Sequence, residues 1–350
     1  MYSFNNDYSE GACSEIINVL NTSNLCQSVG YGLDEYCESA RKRIQKQLHC
    51  DSCDVHFVVG GTQCNQIVIA SALRPHEAVI AAIGGHINVH ETGAIEACGH
   101  KVLVGDGSDG KLTGEGVRKV VEAHSDEHMV KPAMVYLSDA TEVGTVYTKA
   151  ELSDLRKVCD EYGLYMYLDG ARLPMALVAE DNDVKFDDLQ HYCDVCYLGG
   201  TKCGALFGEA VVIFNEALKK DFRYQIKQRG GLLAKGRLLG LQFDTLFKDD
   251  LYLRLARHAV DMAQRLQQGM IELGISMYVT TTTNQIFPIM NRDLIQHMEK
   301  HYLFQSWERL DETHEAVRFV TSWACEEEAV DECLAWLKQA IDENPDIMKQ

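Results

Sequence analysis

The chain has 350 residues, 46% hydrophobic and 24% charged, the balance of a folded protein rather than a disordered or fibrous one. Its formal charge of -19 argues against a nucleic-acid binder, because phosphate contact needs a basic surface. No apolar run reaches the length of a membrane span, and neither terminus carries an export or retention signal, so cytoplasmic residence is the expectation. The length predicts one large and one smaller domain.

In chain order, a helix is expected over Cys13–Leu20, a glycine-rich turn over Val29–Gly32 and an amphipathic helix over Leu33–Leu48. Asp54–Val59 is a short β-branched run that stops at Gly60-Gly61-Thr62, after which Gln63–Leu73 takes a helical pattern. Strand, glycine turn and helix N-terminus together form an anion site of free N–H groups, although a tight turn with Thr62 as N-cap fits equally well. The alternation continues with a strand over Ala78–Ile83 ending at Gly84-Gly85-His86, then a helix over Val89–Cys98. A strand over Val102–Val104, a helix over Thr113–His124 and a strand over Ala133–Leu137 follow. The next helix, Thr148–Tyr162, opens on Thr148 and Glu151 at capping-box spacing.

Two apolar runs come next, Leu164–Leu168 and Asp194–Leu198, separated by a helix near Phe186–Tyr192 and followed by the run Ala210–Phe214. Repeated strand–helix units with short connections predict an α/β fold, a mostly parallel sheet flanked by helices. Beyond Gly236 the pattern changes to long helices, Leu238–Phe247 and Leu251–Leu273. Strands over Ile275–Thr280, Gln285–Ile289 and Ala316–Trp323 and helices over Asp293–Lys300 and Glu326–Ile341 complete a smaller α+β unit. The expected division is residues 1–249, with an N-terminal arm over 1–20, and residues 250–350.

Thirteen cysteines include two CxxC pairs, Cys50–Cys53 and Cys193–Cys196. The pairs are far apart in sequence, and a strand through Cys193–Cys196 would turn its thiols to opposite faces, so no metal site is expected.

The chemistry concentrates at the ends of the two central runs. The first stops at Asp169-Gly170-Ala171-Arg172 and the second at Gly199-Gly200-Thr201-Lys202. Charged residues beside glycines at the carboxyl ends of buried strands are how open α/β sheets build sites. Burial lowers a lysine's pKa, and an uncharged amine forms Schiff bases. A pyridoxal 5'-phosphate (PLP) ring needs such an amine and a carboxylate at its pyridine nitrogen. It also needs a phosphate cradle, for which Gly60-Gly61-Thr62 is suited, and a flat group over its face, for which His86 is suited.

These residues resemble the threonine aldolases, members of the fold-type I PLP enzymes and relatives of the aromatic β-eliminating lyases. The resemblance runs from Asn6 to Trp323. Asp169-Gly170-Ala171-Arg172-Leu173 resembles the family's DGAR motif, and Thr201-Lys202 with Gly204-Ala205 its SKGLGAP segment. Gly85-His86-Ile87 with His90-Glu91-Thr92-Gly93-Ala94 is similar to AHI…E.GA, and Gly60-Gly61-Thr62 to SGT. The resemblance implies that Lys202 carries the cofactor and that Asp169 faces its ring nitrogen, with Arg172 at the phenolic oxygen or supporting Asp169. Thr201 would contact phosphate, with Arg229 of Arg229-Gly230-Gly231 reaching it from a neighbouring subunit, and Arg318 would grip the substrate carboxylate. By their own setting Arg229 fits a basic helix face and Arg318 a strand surface. Tyr31 is either a turn tyrosine or a residue lining a partner's site.

Two positions depart from the family pattern. Its SDT is Asn6-Asp7-Tyr8 here, which replaces a serine contact to substrate by Asn6. Where the family often has ENTHN this chain has Asp139-Ala140-Thr141-Glu142-Val143, so Glu142 stands in place of a histidine associated with the substrate hydroxyl. The base is then Glu142, His90 or a water.

The reaction implied is retro-aldol cleavage of L-threonine or L-allo-threonine to glycine and an aldehyde, in a homodimer or homotetramer with sites at subunit interfaces. The alternatives are a β-eliminating lyase or aminotransferase on the same cofactor, a nicotinamide oxidoreductase, and a non-catalytic interaction protein. The oxidoreductase is disfavoured because no G-x-G-x-x-G follows the early strands.

Overall fold

The structure, a computed structural model, describes residues 1–107 and 109–343. The C-terminal address sought in residues 346–350 lies outside them. The chain begins with a two-residue strand, β1 (Tyr2–Ser3). The central sheet then collects β2 (Asp54–Val58), β3 (Glu77–Ala82), β4 (Val102–Gly105), β5 (Lys131–Ser138), β6 (Tyr165–Asp169), β7 (Val195–Gly199) and β8 (Glu209–Ile213). Their spatial order is β2-β8-β7-β6-β5-β3-β4. β8 alone runs against its neighbours, pairing antiparallel with β2 and β7.

Residues of one parity, such as Val135, Met166, Leu168 and Cys196, fill the larger core on one face of this sheet. The other parity, including Tyr136, Tyr167 and Tyr197, packs under the helix Gly61–Ala72. Apolar side chains on both faces explain why these strands read as continuous hydrophobic runs rather than alternating ones.

The second sheet is antiparallel and contains β9 (Met277–Val279), β10 (Gln285–Asn291), β12 (Gln305–Arg309) and β13 (His314–Val320), in the order β12-β13-β10-β9. β11 (Tyr302–Leu303) pairs in parallel with β1. Phe4 consequently belongs to the core of the C-terminal unit, packed with Met262, Leu266 and Phe319. The helix Leu251–Glu272 places Tyr252, Ala256 and Ala259 in the large core and Met262, Leu266 and Met270 in the small one. A division at residue 249 or 250 therefore falls at the head of a helix that both cores share, and the start of the arm packs with the C-terminal unit.

The capping box is formed. Glu151 N–H donates to Thr148 Oγ1 at 3.3 Å, and Thr148 N–H donates to Glu151 Oε2 at 2.8 Å. The expected helix over Val89–Cys98 is instead two short helices, His86–Val89 and Ala94–Ala97, because Thr92 and Gly93 both take positive φ and break the hydrogen-bond ladder. The expectation for Cys193 and Cys196 also needs correction. Cys193 lies before β7, so strand alternation does not apply, and both thiols enter the same core. Burial raises both thiol pKa values, that of Cys196 well above normal. No described helix is long and apolar enough to cross a membrane.

Candidate active site

β5, β6 and β7 run parallel and end together. Ser138 pairs in register with Asp169, and Leu168 with Cys196. The turns that follow Asp169 and Gly199 pack backbone to backbone: a Cβ added to Gly170 would sit 2.0 Å from Tyr197 O. That approach requires glycine and brings the two strand ends together at one cavity of about 290 Å³.

Asp169 forms one wall and is 4% exposed. Tyr136 Oη donates to its Oδ2 at 2.5 Å, Tyr197 Oη donates to Oδ1, and Ala171 N–H donates to Oδ1 at 3.1 Å. Asn65 Nδ2 adds a longer bond to Oδ2 at 3.3 Å. Four donors hold this carboxylate in one orientation, and no arginine or lysine lies within ion-pair distance among the described residues. The expectation that Arg172 supports Asp169 is therefore corrected. Arg172 instead makes a two-pronged ion pair with Asp7, Nε to Oδ2 at 2.7 Å and Nη2 to Oδ1 at 3.1 Å. Burial works to raise the Asp7 carboxyl, but the charges of Arg172 and Lys202 and hydrogen bonds from Arg172 and Asn284 outweigh it and hold the pKa below normal.

Lys202 is part-buried, makes no hydrogen bond to a described residue, and lines the cavity. Burial, followed by the charge of Arg172, lowers its pKa, against the pull of Asp7, Asp169 and Glu209. Glu209 was missed in the sequence. Its Oε2 accepts from Gly200 N–H at 2.9 Å and its Oε1 from Thr201 Oγ1 at 2.7 Å. Burial pushes its pKa up to about 7. Thr201 thus spends its only hydroxyl hydrogen on Glu209.

Gly60, Gly61 and Thr62 line the opposite wall at the start of the helix Gly61–Ala72. The N-cap is Gly60, in extended backbone, and not Thr62. The helix's first N–H groups have no intrahelical partner and point outward from the helix end. A Cβ at Gly61 would stand 2.8 Å from Tyr197 Oη, so glycine there keeps the helix end close to the group that orients Asp169.

His86 and Glu142 complete the rim. His86 N–H donates to Glu142 Oε1 at 2.9 Å, and Ser138 Oγ donates to the same oxygen at 2.8 Å. Burial raises the Glu142 pKa. His86 Nδ1 lies 2.8 Å from Glu91 Oε1, and its ring is 5.5 Å from that of His90, whose pKa is lowered by burial and then by His86.

Besides His90, four expected binding residues do not line this cavity. Asn6 Oδ1 caps its own turn, accepting from Tyr8 N–H at 2.9 Å and Ser9 Oγ at 3.0 Å; it is Tyr8 that reaches the wall. Tyr31 sits at φ 60°, 46% exposed, with Lys227 Nζ 4.8 Å from its ring centre. Arg229 Nη1 donates to Gln225 Oε1 at 2.7 Å, and its carbonyl accepts from Gln63 Nε2 at 3.2 Å. Arg318 donates to Gln285 Oε1 at 3.4 Å and to Gln305 Oε1, and its guanidinium stands 5.6 Å from the Trp307 ring centre. It is part-buried; burial and then Arg172 push its pKa down to about 10, and its Nε has no partner among the described residues.

The residues fit PLP. A part-buried lysine amine, an oriented carboxylate and a helix N-terminus built on glycines surround one cavity, the set of groups that PLP chemistry demands. The buried tyrosines were legible in principle, since a buried Tyr hydroxyl seeks a partner and Tyr136, Tyr167 and Tyr197 share one sheet face with Asp169.

A mostly parallel seven-stranded sheet carrying this site, followed by a smaller antiparallel unit, is the architecture of the fold-type I PLP enzymes. It superposes on Thermus thermophilus aspartate aminotransferase with a TM-score of 0.72 at 13% identity, covering 97% of this chain and 91% of that one, a likeness of fold. The beta-eliminating lyase family model matches residues 22–293. Low specificity L-threonine aldolase of Pseudomonas sp. (strain NCIMB 10558) is 32% identical over 97% of both chains. The solved structure of Leishmania major threonine aldolase matches with a TM-score of 0.96 and 44% identity, covering 97% of this chain and all of that one. The chain belongs to the beta-eliminating lyase family and, within it, to the threonine aldolases; it is a lyase.

Proposed function

We propose that the chain binds PLP in this cavity and cleaves L-threonine, L-allo-threonine and related β-hydroxy-α-amino acids to glycine and an aldehyde. The observation that carries the reading is the convergence of Lys202 and Asp169 on one cavity from adjacent strand ends. Bound PLP supplies an electron sink for the pair released when Cα–Cβ breaks. Lys202, whose pKa burial lowers, would hold the cofactor, since a lowered pKa favours the uncharged amine that Schiff-base formation needs. Asp169, fixed by Tyr136 and Tyr197, would hold a proton at the ring nitrogen. Gly60, Gly61 and Thr62 would receive the phosphate at the helix end, and His86 would cover the ring. Glu142, with its raised pKa, and His86 face the β-hydroxyl. Arg318, held by neutral amides, turns to the substrate carboxylate, where a guanidinium fork binds both oxygens.

The working form in this reading is a cytoplasmic homodimer or homotetramer, divided near residues 249 and 250. Tyr31 and Arg229, which do not line their own cavity, serve a neighbouring subunit. The test is the visible spectrum of wild type and Lys202→Ala purified with PLP, followed by L-threonine and assays for acetaldehyde and glycine. Colour in the wild type alone and equal yields of both products are expected. A colourless wild type would sink the cofactor claim. Colour without aldehyde would leave PLP and remove the aldolase, and a keto acid product would point to an aminotransferase or a β-eliminating lyase.

A further inference from the structure

The phosphate end of the cavity holds a carboxylate that the reading above does not use. Glu209 is the first residue of β8, and register sets it beside Val58 on one side and Gly199 on the other. It stands between the strand that leads into Gly60-Gly61-Thr62 and the strand that leads into Thr201 and Lys202, and it lines the cavity with all of them. A phosphate monoester carries close to two negative charges at neutral pH, and a helix N-terminus attracts it. A buried carboxylate at the same end repels it.

Glu209 is 4% exposed and makes no ion pair among the described residues; its Oε2 accepts from Gly200 N–H and its Oε1 from the Thr201 hydroxyl. Burial pushes its pKa up to about 7, against those hydrogen bonds and the charge of Lys202 and with the charge of Asp169. The other titratable groups that feel its charge are Cys64 on the helix Gly61–Ala72, Tyr197 on β7 and Tyr252 on the helix Leu251–Glu272. All three are neutral, with pKa values raised well above normal by burial. Nothing around Glu209 except Lys202 opposes its taking a proton when an anion arrives.

The hydroxyl of Thr201 has one hydrogen and two lone pairs. With Glu209 ionised, the hydrogen goes to Glu209 Oε1 at 2.7 Å, and Gly208 N–H donates to Oγ1 at 3.0 Å. No hydrogen remains for a ligand. A proton on Glu209 Oε1 reverses the first bond with both oxygens in place. The acid O–H then donates to Thr201 Oγ1, both lone pairs are filled, and the threonine hydrogen is free for a ligand oxygen in the cavity.

We propose that Glu209 is a proton-taking member of the phosphate site. Binding of a phosphate monoester draws one proton from solvent onto Glu209, turns the Thr201 hydroxyl round and so adds a donor while it removes a repelling charge. The inference rests on the PLP reading and deepens it, because it makes cofactor affinity depend on pH. Sign and window follow from the free protein: affinity is full below pH 7, where Glu209 already holds the proton, and falls above it.

The probe is 4'-deoxypyridoxine 5'-phosphate, which has the ring and phosphate but no aldehyde to react with Lys202. Titration calorimetry of the full-length, cofactor-free protein in buffers of different ionisation enthalpy counts the protons taken up. At pH 8 the wild type is expected to take up about one proton more than Glu209→Gln, whose amide N–H donates to Thr201 as the acid does. The variant's affinity relative to wild type should rise about 10-fold per pH unit above 7. Adding Thr201→Val to Glu209→Gln should weaken binding about 10-fold, the loss of one hydrogen bond to a charged group. Equal binding by the single and double variants would overturn the role of Thr201, and equal proton counts in wild type and Glu209→Gln would overturn the proposal while leaving the PLP reading intact. The infrared difference spectrum of the wild type on adding the probe at pH 8 needs no variant to fold. A new carboxylic-acid carbonyl band is expected, and its absence would contradict the proposal. A wild type that binds no probe at any pH would remove the PLP reading and the proposal together.

Discussion

The two larger sheets of the molecule hold their charged groups in different ways. On the parallel sheet, Asp169 is surrounded by donors from β5, β7, the turn after β6 and the helix Gly61–Ala72. On the antiparallel sheet, Arg318 is held by two neutral amides and a tryptophan face, and among the described residues its Nε has no partner and no carboxylate lies within 4 Å of its guanidinium. The first arrangement is fixed before anything binds, which suits a permanent ring nitrogen partner. The second leaves a cation whose amide contacts a substrate carboxylate can replace. In the proposed reaction, preorganisation would go to the group that stays, and exchangeable bonds to the group proposed to meet each substrate.

Asp7 is the joint between these regions. It pairs with Arg172 from the parallel side, and Asn284, which also donates to Thr321 O, holds its Oδ2 at 2.9 Å from the other. Asp7→Ala would leave a buried guanidinium unpaired and is expected to cost about 3–5 kcal/mol of stability, read by denaturant unfolding. The folded-state pKa lies below the ordinary 3.8. The contribution is therefore fully present above that value and is lost as pH falls through the lower folded-state pKa. A wild-type and Asp7→Ala difference that persists undiminished in strong acid would contradict the pairing.

The next largest effect belongs to the fixed side. Asp169→Ala is expected to lower kcat/KM for L-threonine about 10²–10³-fold, as for the loss of one preorganised electrostatic group. The exchangeable side should respond through binding. Arg318→Lys keeps charge and loses the planar fork, and a rise in KM for L-threonine of about 10-fold with a smaller change in kcat is expected. The smallest effect is that of Gln305→Ala, which removes one amide from Arg318 and should shift KM by no more than about 3-fold. If Gln305→Ala matched Arg318→Lys, the amide would be part of the binding geometry, and the contrast between the two sheets would fail.

Much of this was legible in the sequence, for a physical reason. A buried parallel strand that stops at a charge beside glycine leaves few options, so Asp169, Lys202 and the Gly60–Thr62 turn were all found from strand ends. The same rule hid Glu209. It stands at the first residue of β8, which runs antiparallel, and register brings that start beside the ends of β2 and β7. Strand direction is not written in an apolar run such as Ala210–Phe214. Asn65 and Glu91 escaped because each lies inside or between helices, where a polar residue ordinarily faces solvent. The pairing of Arg172 with Asp7 joins positions 165 residues apart, which neither periodicity nor spacing reports.

The central claim is that Lys202 holds the cofactor, and chemical trapping tests it most directly. The wild type loaded with PLP is reduced with borohydride, digested and mapped by mass spectrometry. The account predicts the added pyridoxyl phosphate mass on the peptide that contains Lys202, and its disappearance in Lys202→Ala. The mass on a different lysine, or on none, would contradict it.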